Sequence, residues 1–160
     1  MLYIFHTRIK AKSLVLILKL LSALTFIGHG IFAIGLHFVP GGFIQMTQNI
    51  LGFNTDGAET FLLIAGILDF IVAFVLFIKP LQLIAMVYMI FWGVLTSLAR
   101  FVGYYYHAPI EEVYSVYLFE SIWRAPHFMA PLLLVSLYIR GVSFSITKEF
   151  FKSPEEVLSH

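Results

Sequence analysis

The sequence predicts an all-α integral membrane protein that folds as a four-helix bundle. Of its 160 residues 60% are hydrophobic and 12% are charged, and the mean hydropathy is +0.92. A soluble domain is closer to half apolar and a quarter charged. No hydrophilic stretch is long enough for a separate domain, so residues 1–160 are predicted to form a single transmembrane domain.

The apolar residues fall into four runs, each of about the 20 residues that a helix needs to cross a bilayer. These runs cover residues of about 14–39, 60–78, 81–102 and 116–139. The run Pro40-Gly41-Gly42 is predicted to end the first helix, and Lys79-Pro80 to join the second and third as an antiparallel hairpin. Within residues 43–59 a short amphipathic helix is expected at the membrane interface.

Lysine and arginine are distributed unevenly between the connecting segments. They occur in the N-terminal segment, at Lys79 and in the tail 142–160, while residues 40–59 and 103–115 contain neither. By the positive-inside rule both termini are therefore predicted to be cytoplasmic, with 142–160 as a cytoplasmic tail. This fits an even number of spans in a multi-pass protein of the cell (inner) membrane.

Several kinds of chemistry have no support in the sequence. There is no cysteine, which excludes disulfides and thiolate metal sites. Walker, Rossmann and nucleophilic-serine motifs are missing, as is a Glu-x-x-His pair. No catalytic residue, no metal site and no nucleic-acid partner is therefore predicted, and whether the chain is an enzyme stays open.

The fourth run carries ionisable residues where lipid does not tolerate them. Glu120, Arg124 and His127 are spaced to share one face of a helix. A charge inside a membrane segment costs about 2.5–3.5 kcal/mol on insertion scales. These side chains are therefore expected to face protein, water or a ligand.

The other spans carry polar residues that are predicted to meet this row. His29, Asp69 and Arg100 lie on spans one, two and three. The predicted contacts join Asp69 to Arg124 and Arg100 to Glu120, with His29 close to His127. Two acids against two bases leave such a cluster nearly neutral. Lys19, at the opposite end of the first span, is expected to extend to the cytoplasmic headgroups.

This polar cluster has several interpretations. It is either a structural clasp between helices or the wall of a pocket for a quinone, a lipid headgroup or an anion. A less favoured interpretation is haem b ligated by His29 and His127. A small transporter that depends on Asp69 is a further alternative, although no pair of broken-helix repeats supports it.

Short motifs in the first three spans resemble those of DoxX-like small membrane proteins. The first span, Leu20-Leu-Ser-Ala-Leu-Thr-Phe-Ile-Gly-His29-Gly30-Ile-Phe-Ala-Ile-Gly35, has the phenylalanine, histidine-glycine pair and further glycine common in that family. The segments Ala65-Gly66-Ile-Leu-Asp69 and Pro80 to Arg100 resemble its later helices. The resemblance implies a four-helix protein that accompanies redox machinery, such as a quinone-reducing oxidoreductase or a terminal oxidase.

Together these observations predict an accessory or anchoring subunit of a membrane complex, respiratory or quinone-linked. Its expected partners are the lipid bilayer and other membrane subunits, with a quinone as the candidate ligand. The alternative is a stand-alone transporter or a lipid- or quinone-binding protein.

Overall fold

The protein is all α-helical in the computed structural model, which describes residues 2–36 and 41–141. Within these ranges the elements are α1 (Leu2–Ala33), α2 (Gly41–Leu51), α3 (Thr55–Val75), α4 (Gln82–Tyr104), α5 (Ile110–Glu112), a π-helical segment (Val113–Tyr117), α6 (Leu118–Trp123) and α7 (Pro126–Ile139). Residues 37–39 of the predicted first span and the predicted tail 142–160 lie outside the described residues.

Four segments are long and apolar enough to cross a membrane, which confirms the predicted layout of a multi-pass membrane protein. They are Ser13–Ala33, Thr55–Val75, Gln82–Tyr104 and Ile110–Ile139. Successive spans run in opposite directions, so the last turns of α1 and α4 lie at the same end of the bundle as α2. We call this the α2 end.

The first transmembrane helix ends earlier than the sequence predicted. Gly35 has a φ of +77°, and the amide of Leu36 donates to the carbonyl of Ile31 while that of Gly35 donates to Phe32. These two bonds form a Schellman motif, in which glycine takes the left-handed conformation. The helix therefore ends at Gly35 rather than at Pro40, and Gly41-Gly42 begins α2 instead of ending α1.

Small residues bring α1 and α3 into close contact. A Cβ atom on Gly30 would lie 2.9 Å from the Gly66 carbonyl oxygen, and one on Gly66 would lie 3.0 Å from that of Gly30. Glycine is the residue that lets helix backbones approach this closely in a membrane. This contact fixes the register in which α1 faces α3.

Helix α2 lies against the end of α4. The Asn49 side chain donates to the carbonyl oxygen of Gly103 at 2.9 Å, and the Tyr104 hydroxyl lies 3.4 Å from that of Gly42. Phe43 and Met46 are buried against the bundle. The predicted amphipathic helix is thus present, with part of its apolar face turned into the bundle.

The fourth span is interrupted at Arg124, whereas the sequence predicted one helix over 116–139. Pro126 has no amide hydrogen, and the Ile122 carbonyl accepts from Ala125 instead. The helix stops at Trp123 and resumes at Pro126. Since the break changes the helical phase, Glu120, Arg124 and His127 do not form one regular stripe.

The prediction that Lys19 extends to the headgroups is wrong. Its side chain is buried, its Nζ donates to Gln82 Oε1 at 3.0 Å, and it lies 5.9 Å from the centre of the Phe77 ring. Helix α1 packs on α3 and α7, and position 19 lies on its buried side together with Ser22 and Phe26. Packing direction therefore decides where this ammonium group lies.

Candidate functional site

A histidine–aspartate pair joins α1 to α3 in the interior of the bundle. His29 Nδ1 lies 2.6 Å from Asp69 Oδ2, and the side chains of His29 and Asp69 are 11% and 0% exposed. An ionised carboxylate only accepts hydrogen bonds, so Nδ1 carries the proton. Nε2 of His29 makes no hydrogen bond within the described part of the chain, and it can accept when the ring is neutral or donate when it is protonated.

The second oxygen of the buried carboxylate lacks a hydrogen-bond partner. Asp69 Oδ1 and the indole Nε1 of Trp92 are both buried without one among the described residues, and the Trp92 indole faces Asp69. Buried polar atoms are satisfied in most proteins. The Trp92 indole is therefore the donor that lies beside this carboxylate.

Two arginines surround the Phe43 ring of α2. The guanidinium carbons of Arg100 and Arg124 lie 5.4 and 5.7 Å from the ring centre, within the range of a cation–π contact. The His29 ring meets Phe43 edge to face with centroids 5.6 Å apart. Phe43 is thus the common neighbour of residues from α1, from α4 and from the turn that follows α6.

The ion pairs differ in part from those that the sequence predicted. Arg100 Nε lies 3.5 Å from Glu120 Oε2, as predicted, although this contact lacks hydrogen-bond geometry. The predicted pairing of Asp69 with Arg124 is wrong, because Asp69 binds His29 instead. The charged groups that act most on Arg124 are Arg100 and Glu120, and Arg124 forms no ion pair within the described ranges.

His127 is held by the break in the fourth span. Its Nδ1 lies 2.9 Å from the carbonyl oxygen of Arg124, which also accepts from the Ser97 hydroxyl at 3.0 Å. The backbone of His127 packs directly on Gly93 of α4. The Arg124 carbonyl also accepts from the His127 amide at 2.9 Å, so the turn between α6 and α7 is joined to both α4 and the start of α7.

A cavity of about 340 Å³ lies beside these residues. The wall is largely apolar, and its lining includes the charged or titratable residues His29 and Arg124 together with Trp92 and Thr96. The remaining lining is Phe43, Met46, Thr47, Ile50, Leu51, Phe61, Leu62, Ala65, Leu95, Leu98, Ala99 and Val102. Ligand sites commonly combine such a largely apolar wall with a few convergent polar groups.

The cavity opens sideways, between α2, α3 and α4. Leu95, Leu98 and Val102 line it and are also exposed on the outside of the bundle. Helix α3 packs chiefly on α1, and α4 packs chiefly on α7, so α3 and α4 pack only loosely on each other. In a membrane the opening would face the acyl chains, with His29 and Arg124 at the inner end.

Known proteins provide no further guide to this site. The chain matches no protein-family model, no curated protein and no solved structure. The layout is that of a small four-helix membrane protein, and the arguments about its function rest on its own residues.

The six predicted cluster residues separate into three groups. His29 and Arg124 line the cavity, with Asp69 behind His29; Arg100 and Glu120 form an ion pair beside it. His127 is outside the lining, so the two imidazoles proposed for haem do not share this cavity. Among the described residues no group of three or more histidines and acids is placed to hold a metal ion.

Sequence reasoning missed the central position of Phe43 and the burial of Tyr104. From the sequence, Phe43 belongs to the interfacial helix expected within residues 43–59, and the run Tyr104-Tyr105-Tyr106 is typical of an aromatic belt at the headgroups. In the structure Tyr104 stacks on Tyr117 with ring centres 4.1 Å apart, while Tyr106 and Trp123 are strongly exposed. A signal was present in the Gly41-Gly42 pair, because small residues beside Phe43 let α2 approach Arg100.

Proposed function

We propose that this protein binds a membrane-dissolved molecule in the lateral cavity, with the polar head of the molecule at His29 and Arg124. The observation that carries the proposal is the continuity of the cavity from lipid-facing leucines to a carboxylate-supported histidine and an arginine. A ligand with an apolar body and a polar head fits both ends. A quinone and an acidic lipid headgroup both have this form.

The chemistry of the inner end suits a hydrogen-bonded head group. Asp69 fixes the orientation and tautomer of the His29 ring, a supporting role that carboxylates often have behind histidines. The guanidinium of Arg124 donates to carbonyl, carboxylate or phosphate oxygens. The donors lie in a low-dielectric slot, where a hydrogen bond is stronger than in water, and this would favour binding of such a head group.

The tryptophans provide a direct test. The chain has two: Trp92 lines the cavity, and Trp123 is 80% exposed. In the Trp123→Phe variant, a short-chain benzoquinone, which quenches tryptophan fluorescence, is expected to quench Trp92 with a saturable curve. In the matched Trp92→Phe variant, quenching of Trp123 should rise linearly with the quinone in the membrane.

A linear curve for Trp92 with the quinone and also with a brominated fatty acid would refute the proposal. Both molecules would then be partitioning into the bilayer without occupying a site. Saturation with either molecule supports a cavity that binds lipid-soluble ligands.

A second candidate function is that of an accessory or anchoring subunit of a membrane complex. It is favoured by the low burial of the fourth span. Only 11% of its most apolar 18-residue stretch is buried within the bundle, against 33–39% for the other three spans. Phe119, Ile122 and Trp123 are exposed along it, leaving a face for another subunit. The resemblance to DoxX-like proteins suggests a respiratory, quinone-linked complex in the cell membrane.

Affinity purification in mild detergent tests this second candidate. A defined set of membrane subunits should co-purify with the unaltered chain and be lost from a Phe119→Ala, Trp123→Ala variant that still folds. Recovery of the chain alone from its native membrane, under conditions that preserve other complexes, would oppose it.

A further inference from the structure

We propose that the ligand of the lateral cavity is an anionic single-chain amphiphile, whose carboxylate or phosphate oxygens bind Arg124 and His29. Its chain would leave the protein between α3 and α4. This inference rests on the proposed function and narrows it from any membrane-dissolved molecule to one that carries negative charge.

The argument begins with the charges around the inner end. The Glu120 carboxylate pairs with Arg100, and the Asp69 carboxylate pairs with His29. Both acids of the cluster therefore have a basic partner already. Arg124 has no acid within ion-pair distance in the described ranges, although Arg100 and Glu120 both act on it through space with opposite charge. The wall of the cavity thus presents one positive charge that the described residues do not neutralise by contact.

An uncompensated guanidinium in an apolar site favours an anion over a neutral ligand. Its contact with the Phe43 ring supplies a modest attraction of about 0.5–2 kcal/mol. A carboxylate or phosphate offers two oxygens to the planar guanidinium, which is the pairing that suits arginine best. The His29 ring, which also lines the cavity, would add a second polar contact.

The size and shape of the cavity favour one chain over two. Its volume of about 340 Å³ lies at the small end of the range of about 300–1,000 Å³ found for ligand pockets. It holds a head group and part of one chain, while the remainder would stay among the acyl chains of the bilayer. The exposed Leu95, Leu98 and Val102 mark the path of that chain.

The test compares a brominated long-chain fatty acid with its methyl ester. Both have the same chain, but the ester is neutral, and bromine quenches a nearby tryptophan. In the Trp123→Phe background we expect saturable quenching of Trp92 by the acid, with the ester binding about 10- to 100-fold more weakly. Arg124→Gln should weaken acid binding to a similar extent, whereas Arg140→Gln, at an exposed arginine beyond α7, should not.

Competition with unbrominated molecules identifies the head group. Displacement of the brominated acid by a fatty acid or by a single-chain alkyl phosphate supports the inference, and the tighter competitor names the preferred oxyanion. Displacement by the alkyl alcohol at equal concentration would overturn it, because that molecule has the chain without the charge.

The other outcomes separate this inference from the proposed function. If acid and ester bind equally well, or if the quinone saturates Trp92 and the acid does not, the anionic ligand is refuted while the cavity remains a binding site. If neither the acid, the ester nor the quinone gives saturable quenching, both proposals fall together. Retained acid binding in Arg124→Gln would also refute the assigned role of Arg124.

Discussion

His29 and Asp69 lie on different transmembrane helices, and their side chains meet at 2.6 Å between Nδ1 and Oδ2. The contact sits next to the close approach of Gly30 and Gly66, so backbone packing and a polar contact fix the same register of α1 on α3. The same imidazole lines the lateral cavity. The pair therefore holds α1 to α3 and also sets the position of a cavity residue.

The His29→Leu variant is expected to lose about 3 kcal/mol of unfolding free energy, because it leaves a fully buried carboxyl group without its donor. Asp69→Asn keeps an acceptor for His29, so we expect a loss of about 1 kcal/mol. Unfolding in detergent, followed by circular dichroism, measures both. As a control, Asp56→Asn at the exposed start of α3 should change stability by about 0.5 kcal/mol or less. Equal effects at positions 56 and 69 would contradict a stabilising pair.

Two glycines of α1 provide a matched test of the α1–α3 contact. An alanine Cβ at position 30 would meet the Gly66 carbonyl at 2.9 Å, whereas at position 28 it would meet nothing within 4 Å. Gly30→Ala should therefore cost about 1–3 kcal/mol through overpacking. Gly28→Ala should be neutral or stabilising by up to about 1 kcal/mol, because alanine favours the helix. Thermal unfolding of the two variants in one detergent distinguishes them; similar melting temperatures would argue against the close contact.

The buried lysine gives a prediction for the opposite end of the bundle. Gln82→Ala removes the acceptor 3.0 Å from Lys19 Nζ and should cost about 1.5–3 kcal/mol, as for a hydrogen bond to a charged group. Gln45→Ala, at an exposed position of α2, is the control and should change stability by less than about 0.5 kcal/mol. If both variants unfold alike, Lys19 does not depend on Gln82.

Arg124 is expected to affect binding more than folding. A pairing of Arg124 with Asp69, as the sequence predicts, would make Arg124→Ala destabilise the fold more than Arg140→Ala, by leaving an acid unpaired. The structure removes that reason, since Asp69 pairs with His29 and Glu120 with Arg100. We now expect Arg124→Gln to unfold at or above the temperature of the unaltered protein when no ligand is added.

Added ligand should reverse that order. A fatty acid at a hundredfold excess over its dissociation constant should stabilise the unaltered chain by about 2.7 kcal/mol. In Arg124→Gln the same concentration should give much less. Strong destabilisation of the ligand-free variant would show instead that Arg124 holds the helices together.

The distribution of basic residues still predicts which way the protein lies in the membrane. Both termini are expected on the cytoplasmic side of the membrane. Helix α2, which carries Phe43, is expected on the opposite side. Reporter fusions at residue 160 and within residues 105–109 measure this. The first should be active only as a cytoplasmic reporter and the second only as an exported one. The reverse pattern would place the lateral cavity in the cytoplasmic half.

Much of the fold followed from the sequence, since the spacing of apolar runs sets the number of spans. The pairing of Arg100 with Glu120 was also predicted correctly. The end of α1 was not, because Gly35 forms a Schellman cap before Pro40 is reached. The break in the fourth span was missed as well, although Pro126 provided a signal for it.

The sequence by itself determined that this chain is an all-α membrane protein with four spans and polar residues inside them, because hydrophobicity and helical length depend on local composition. Only the tertiary structure decided which of these residues meet. Whether Asp69 faces Arg124 or His29 depends on the rotation and register of α1 and α3, fixed by Gly30 and Gly66. That choice leaves Arg124 to the cavity, and the site exists because three-dimensional packing assigned the partners.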